Sequence, residues 1–275
     1  PNFGRAKAVA LKAPNIDQAW YSSLEWLKDN SPEPFGDPDF YYQQYETPFH
    51  YPKSAYGVMS WWDYGHWITR IAHRIPVSNP FQQGAPEAGR FFIAQDEDSA
   101  NQMVDKLGAR YVIIDHLMPT TKFCAMPEWA GESNSEFREY YGIPTEGGGG
   151  EPQWLGLFRY PNYYKSTVAR LYNFDGEAVA PSENSTIVVP WDGESVWEVA
   201  KIRYKNITAE PKVFSSYEEA EDYISNQESG KYVSGSFDPF VTPVSLEKME
   251  HYKLVYASEQ KWKGKPMVKI FEYSK

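Results

Sequence analysis

Five stretches of the chain read as helices from the spacing of their apolar residues and from their start signals. Between residues 17 and 29, Trp20, Leu24 and Leu27 fall on one face, and Asp17 stands where a capping side chain accepts the first free amides. The stretch from Asp96 to Leu107 opens on Asp96-Glu97-Asp98, which suits the positive end of a helix dipole. Residues 162–172 and 216–226 read as two further helices, and another runs from about Asp63 to His73. Strands are predicted where apolar residues run together or alternate. These are Gly57–Ser60, Arg90–Ala94, Arg110–Asp115 and Trp154–Tyr160 in the first two thirds of the chain. Beyond Pro181 come Thr186–Val189, Trp197–Tyr204, Tyr232–Ser234, Lys253–Ala257 and Met267–Tyr273.

The connecting pattern sets the organisation. Residues 1–16 read as an extended lead-in. Between Ser31 and Ser54 stand Pro32, Pro34, Pro38, Pro48 and Pro52, which exclude regular helix and central strand, so this loop must pack through its aromatic side chains. Gly147–Gly150 reads as a loop excursion. Strands and helices alternate early and strands dominate late, which predicts an α+β fold with some parallel pairing. The expected division is a core at residues 1–180 and a β-rich peripheral unit at residues 181–275.

Composition narrows the classes of function. The formal net charge is −10, which argues against non-specific nucleic-acid binding and against an electrostatic grip on anionic lipid. Cys124 is the single cysteine, so no internal disulfide forms. No apolar run is long enough to span a bilayer, and the chain opens on Pro1 rather than Met, as expected of a fragment of a longer protein. The five histidines are scattered without the spacing of a zinc site. Gly147–Gly150 lacks the lysine of a phosphate loop, and no nucleophile elbow occurs. Aromatics make up 17% of residues; most fill a core, but Trp and Tyr also stack on sugar rings, so a cell-surface carbohydrate-binding module stands as the alternative reading. Asn184-Ser185-Thr186 and Asn206-Ile207-Thr208 are sequons, strings common by chance.

Candidate chemistry concentrates at Trp61-Trp62-Asp63-Tyr64-Gly65. The plain reading makes Asp63 a helix N-cap. The functional reading uses a carboxylate acceptor between rigid indoles that carry N–H donors, a set able to hold a small hydroxyl-bearing side chain. Some fifty residues later Asp115, Met118, Lys122 and Met126 recur at offsets that share one face of a helix. Pro119 opposes a continuous helix there, and the alternative starts the helix at Pro119 with Asp115 in the preceding loop.

The W-W-D-Y-G string resembles the signature of the oligosaccharyltransferase catalytic subunits, the AglB family in archaea, and the Asp115–Met126 spacing resembles the family's downstream Asp/Lys motif. The resemblance implies the C-terminal globular domain of an enzyme that transfers a lipid-linked oligosaccharide to asparagine in Asn-X-Ser/Thr. Trp61, Trp62 and Asp63 would bind the hydroxyl residue at +2, with Met118, Lys122 and Met126 as the facing wall and Tyr64, Gly65 and Asp115 in support. The partners implied are the acceptor polypeptide, the lipid-linked oligosaccharide and the protein's own transmembrane region, on the extracytoplasmic side of the cell membrane. The family's divalent metal, Mn2+ or Mg2+, would be held by ligands outside this chain. The chain alone is therefore expected to be inactive.

Overall fold

The structure is a computed structural model that describes residues 16–40, 44, 48–143, 145 and 151–275, the side chains of residues 195, 197 and 199 excepted. The lead-in up to residue 15 and the Gly147–Gly150 tract lie outside the described residues. The fold is α+β, with two main sheets.

Helix α1 (Gln18–Asn30) is capped by Asp17, whose carboxylate accepts the Trp20 amide at 2.9 Å. Its buried Trp20, Leu24 and Leu27 each gain about 1.5–3 kcal/mol on leaving water. The proline-rich loop packs as expected through its rings; Phe35 stacks on Phe40 at 4.0 Å, with Phe49 and Tyr51 against them. Strand β1 (Gly57–Met59) leads into a helical stretch of three pieces, a 3-10 turn at Trp62–Tyr64, an α turn at Gly65–Trp67 and a wide π turn at Ile68–Ala72. His73, at φ 53°, ends it. Strand β2 (Ile75–Pro76) follows.

Next comes helix α2 (Ala85–Ile93), where the sequence predicts a strand at Arg90–Ala94. Five residues cannot distinguish a buried strand from a buried helical turn, and the start signal lies upstream, in left-handed Gly84 and Pro86 in the first turn. Helix α3 (Glu97–Leu107) is capped by Asp96, and β3 (Ala109–Asp115) follows. Helix α4 (Ala125–Ala130), strands β4 (Arg138–Ile143) and β5 (Trp154–Arg159), and helices α5 (Pro161–Lys165) and α6 (Thr167–Phe174) come next. The one helix expected over 162–172 is broken at Ser166, whose backbone is extended. The remaining elements are β6 (Thr186–Val199), β7 (Ile202–Ile207), β8 (Lys212–Phe214), α7 (Tyr217–Ser225), β9 (Tyr232–Gly235), β10 (Tyr252–Ala257), β11 (Lys261–Trp262), β12 (Lys265–Pro266) and β13 (Val268–Tyr273).

The first sheet has the order β10-β13-β3-β1-β2, with β1 parallel to both β2 and β3 and β13 antiparallel to β3. Its centre, β3, is buried from Tyr111 to Asp115, which explains an apolar run rather than an alternation. The second sheet has the order β5-β4-β7-β6-β8, with β9 also on β6. A division at residue 180 therefore does not follow the sheets. The last strands, β10 and β13, return to the first sheet, while β4 and β5 join the second. Chain order concealed this, because long-range pairing is invisible to local pattern.

Asp115, at the end of β3 and 1% exposed, ties the first sheet to the elements above it. Its Oδ2 accepts from the Trp20 indole N–H at 3.1 Å and from the Tyr64 hydroxyl. Its Oδ1 accepts the backbone N–H groups of Leu117 and Met118 at 3.1 and 3.0 Å. One carboxylate thus fixes α1, the motif turn and the loop after β3. Gly65 is held for a different reason. Its φ of −56° suits any residue, but an added Cβ would stand 2.3 Å from the Ser78 carbonyl oxygen and 2.7 Å from the Asn79 Cα.

Two outcomes follow for unfolding in urea. Gly65→Ala loses about 2–3 kcal/mol through backbone displacement. Asp115→Ala loses about 3 kcal/mol or more, because two side-chain donors and two amides are stranded in the core, and Asp115→Asn recovers part of it.

Candidate functional site

The sheet positions the motif from below. Ser60 donates its hydroxyl to the Ile113 carbonyl at 2.9 Å, and Ser78 donates to the Ser60 carbonyl at 2.9 Å. The chain then turns sharply, so that successive residues of the motif point differently. Trp61 is buried, Trp62 and Asp63 are half-buried, and Tyr64 and Gly65 are buried. Trp61 and Trp62 lie 6.3 Å apart with their rings tilted. Trp61, not Asp63, takes the N-cap position, and it makes no side-chain cap. Asp63 sits inside the first turn, which frees its carboxylate for tertiary contacts.

That carboxylate meets Lys122. The Lys122 ammonium donates to Asp63 Oδ2 and stands 4.0 Å from the centre of the Tyr64 ring. Tyr64 is itself fixed on its other contacts, stacked on Trp20 at 4.0 Å and bonded to Asp115. Burial and then the Asp115 charge push the Tyr64 hydroxyl far above its usual range, so it stays protonated and donates. Burial raises the Asp115 carboxyl, and the hydrogen bonds from Tyr64 and Trp20 oppose that rise. With 22% and 32% exposure, the Lys122–Asp63 pair contributes less than about 1 kcal/mol to stability, so its role is to orient two groups.

The segment from Asp115 to Met126 is not one helix, and no helix begins at Pro119. Tight turns run from His116 to Cys124, including Met118 N–H to the Asp115 carbonyl at 3.2 Å and Lys122 N–H to the Leu117 carbonyl at 2.9 Å. Helix α4 starts only at Ala125. Pro119 has no N–H to continue a helical ladder, and its carbonyl instead accepts from the Tyr163 hydroxyl at 2.8 Å. Asp115 and Lys122 therefore do not share a helix face. The structure still brings Lys122 to the motif, onto Asp63 and Tyr64. Met118 and Met126 have no exposed surface and belong to the core, so neither forms an open wall for a ligand. Trp20 joins the site unannounced; local periodicity marks it as a core residue, and the reach of its indole N–H to Asp115 spans 95 positions.

Two polar atoms here are buried and unpaired among the described residues, the indole N–H of Trp62 and Oδ1 of Asp63. One donates and the other accepts. Burying both without partners costs about 1–3 kcal/mol each, unless a further group brings the complementary pair. Among the described residues no group of three or more His, Cys, Asp or Glu is arranged to hold a metal ion. No helix among them is long and apolar enough to cross a membrane.

Comparison with known proteins meets this geometry. Residues 17–119, which include Trp20, the motif and Asp115, match the family model described as the AglB core domain. The chain is 34% identical to the dolichyl-monophosphooligosaccharide–protein glycotransferase AglB of Haloferax volcanii, over 92% of this chain and 26% of that protein. It is 36% identical to dolichyl-phosphooligosaccharide-protein glycotransferase 3 of Archaeoglobus fulgidus, over 66% of this chain and 24% of that protein. The crystal structure of an Archaeoglobus fulgidus oligosaccharyltransferase, tethered by a disulfide to an acceptor peptide with the NVT sequon, aligns over 95% of this chain and 33% of that one, at a TM-score of 0.55 and 26% identity. This chain thus spans about a quarter of the length of the curated relatives it matches. The chain belongs to the AglB family of archaeal oligosaccharyltransferases.

Proposed function

We propose that this chain is the acceptor-recognising part, C-terminal in the whole protein, of a membrane enzyme that transfers a lipid-linked oligosaccharide to asparagine in Asn-X-Ser/Thr. The observation that carries this reading is the unpaired couple at the motif, Trp62 Nε1 and Asp63 Oδ1. A hydroxyl satisfies both at once, accepting from the indole and donating to the carboxylate. Lys122 occupies the other carboxylate oxygen, which leaves Oδ1 as the acceptor for the ligand. Trp61, Tyr64 and Gly65 shape the turn, and Asp115 holds it. Met118 and Met126 support the site from the core in this conformation.

The recognition is a positioning step. Once the hydroxyl at +2 is docked, the asparagine two residues before it stands in a fixed direction, and orientation of this kind lowers the barrier of a transfer performed elsewhere. An acceptor without the hydroxyl leaves Trp62 and Asp63 unpaired, which is the physical source of discrimination. The metal of the enzyme, Mn2+ or Mg2+, is assigned to residues outside this chain, as are the lipid-linked donor, the transmembrane region and the bond-forming centre. On this reading the chain alone does not transfer sugar, and it faces the extracytoplasmic side of the cell membrane.

The test uses a full-length protein that contains this chain. Asp63→Ala lowers kcat/KM for an Asn-Val-Thr peptide roughly 100-fold, from the loss of one charge-assisted hydrogen bond in a half-buried site. The preference for threonine over alanine at +2 collapses in the same variant. Unchanged transfer and unchanged preference overturn the proposal.

A further inference from the structure

Between β2 and α2 the chain makes a tight loop over residues 78–84, with Phe81 at its tip. Phe81 is 78% exposed, the most exposed large apolar side chain among the described residues. A single apolar residue on a surface is ordinary, so exposure alone assigns it no role. Its frame and its neighbours do. The Ser78 hydroxyl donates to the Ser60 carbonyl at 2.9 Å, and the Phe81 amide donates to Asn79 Oδ1 at 2.9 Å. The Asn79 amide donates to the Gln83 carbonyl at 3.1 Å, and the Gln82 amide to the Asn79 carbonyl at 2.7 Å. A ring held on such a frame is ordered before anything touches it, so a partner that binds it loses little to ordering.

The loop lies directly on the motif. Gly65 packs against the backbone of Ser78 and Asn79 without room for a Cβ. The Phe81 ring stands edge to face with the ring of His66, the first residue beyond the motif, at 5.3 Å between centres. His66 is exposed and follows Asp63 by three residues. The stretch between them is a 3-10 turn that passes into an α turn. In either form, side chains three apart share a face, about 5–6 Å from one another. One continuous surface therefore runs from the Asp63 carboxylate past His66 to Phe81.

A peptide whose hydroxyl residue is docked at Trp62 and Asp63 leaves that position in two directions. One leads back to the asparagine, which must reach a transfer centre outside this chain. The other, toward the peptide's C-terminus, is free to follow the surface of this chain. In an extended peptide, side chains two residues apart project to the same side, about 6–7 Å from one another. The side chain at +4 then falls beside His66 and within reach of the Phe81 ring. A lone ring flanked by the exposed, uncharged Gln82 and Gln83 makes a poor membrane seat, which needs several apolar or cationic groups together. We infer that His66 and Phe81 form a second contact for the acceptor polypeptide, one that takes an apolar side chain two residues after the hydroxyl residue. This inference rests on the reading of Trp62 and Asp63 given above.

The test uses a full-length protein that contains this chain and three peptides, Asn-Val-Thr-Ala-Leu, Asn-Val-Thr-Ala-Ser and Asn-Val-Ala-Ala-Leu. The first should exceed the second in kcat/KM about fivefold, chiefly through KM, as partial burial of one leucine side chain gives. Phe81→Ala should bring that ratio to about one, and Phe81→Leu should keep most of it. The preference for threonine over alanine at +2 should persist in both variants. Because the side chain is exposed, its replacement costs the fold little, which thermal unfolding checks. A wild-type ratio of one with the threonine preference intact overturns the second contact and leaves the hydroxyl site standing. Absence of the threonine preference in the wild type overturns both. An equal loss for the leucine and serine peptides in Phe81→Ala makes the ring a structural or membrane contact and likewise overturns the inference.

Discussion

The buried carboxylate of Asp115 is the constraint on which the upper part of the molecule depends. It accepts from the Trp20 indole, the Tyr64 hydroxyl and the amides of Leu117 and Met118. Removing such a group from water is unfavourable, and only a full set of donors offsets it. The set here comes from three separated pieces of chain, so the carboxylate is satisfied only when those pieces are assembled. The consequence passes outward in steps. Tyr64, locked between Trp20 and Asp115, presents its ring to Lys122, and Lys122 in turn occupies one oxygen of Asp63. A core interaction thereby decides which oxygen of a half-buried carboxylate is left unpaired.

What local pattern could show, it showed. The capped helices α1 and α3 appear in the sequence because Asp17 and Asp96 do their work within three residues. The α+β class follows from the run of strand-like segments. The motif residues Trp61, Trp62 and Asp63 were recognisable because their types and adjacency are unusual. Helix α2 was misread because a five-residue apolar run has no resolvable period. The face expected for Asp115, Met118, Lys122 and Met126 failed at Pro119, and the methionines proved to be core. The contact of Lys122 with Asp63 depends on how β3 and β1 pair, and the roles of Trp20 and of the returning β13 depend on pairings more than ninety positions apart. No window along the chain contains that information.

At the motif, charge is balanced and what remains is one donor and one acceptor, a pattern that suits a neutral hydroxyl.

The most direct measurement on the central claim is the nitrogen-15 signal of the Trp62 indole N–H, followed as a full-length protein containing this chain binds a peptide. An Asn-Val-Thr peptide should move that signal downfield as the indole gains an acceptor, an Asn-Val-Ala peptide should not, and Asp63→Ala should abolish the difference. A Trp62 signal that responds equally to both peptides, or to neither while the threonine peptide is bound, contradicts the account.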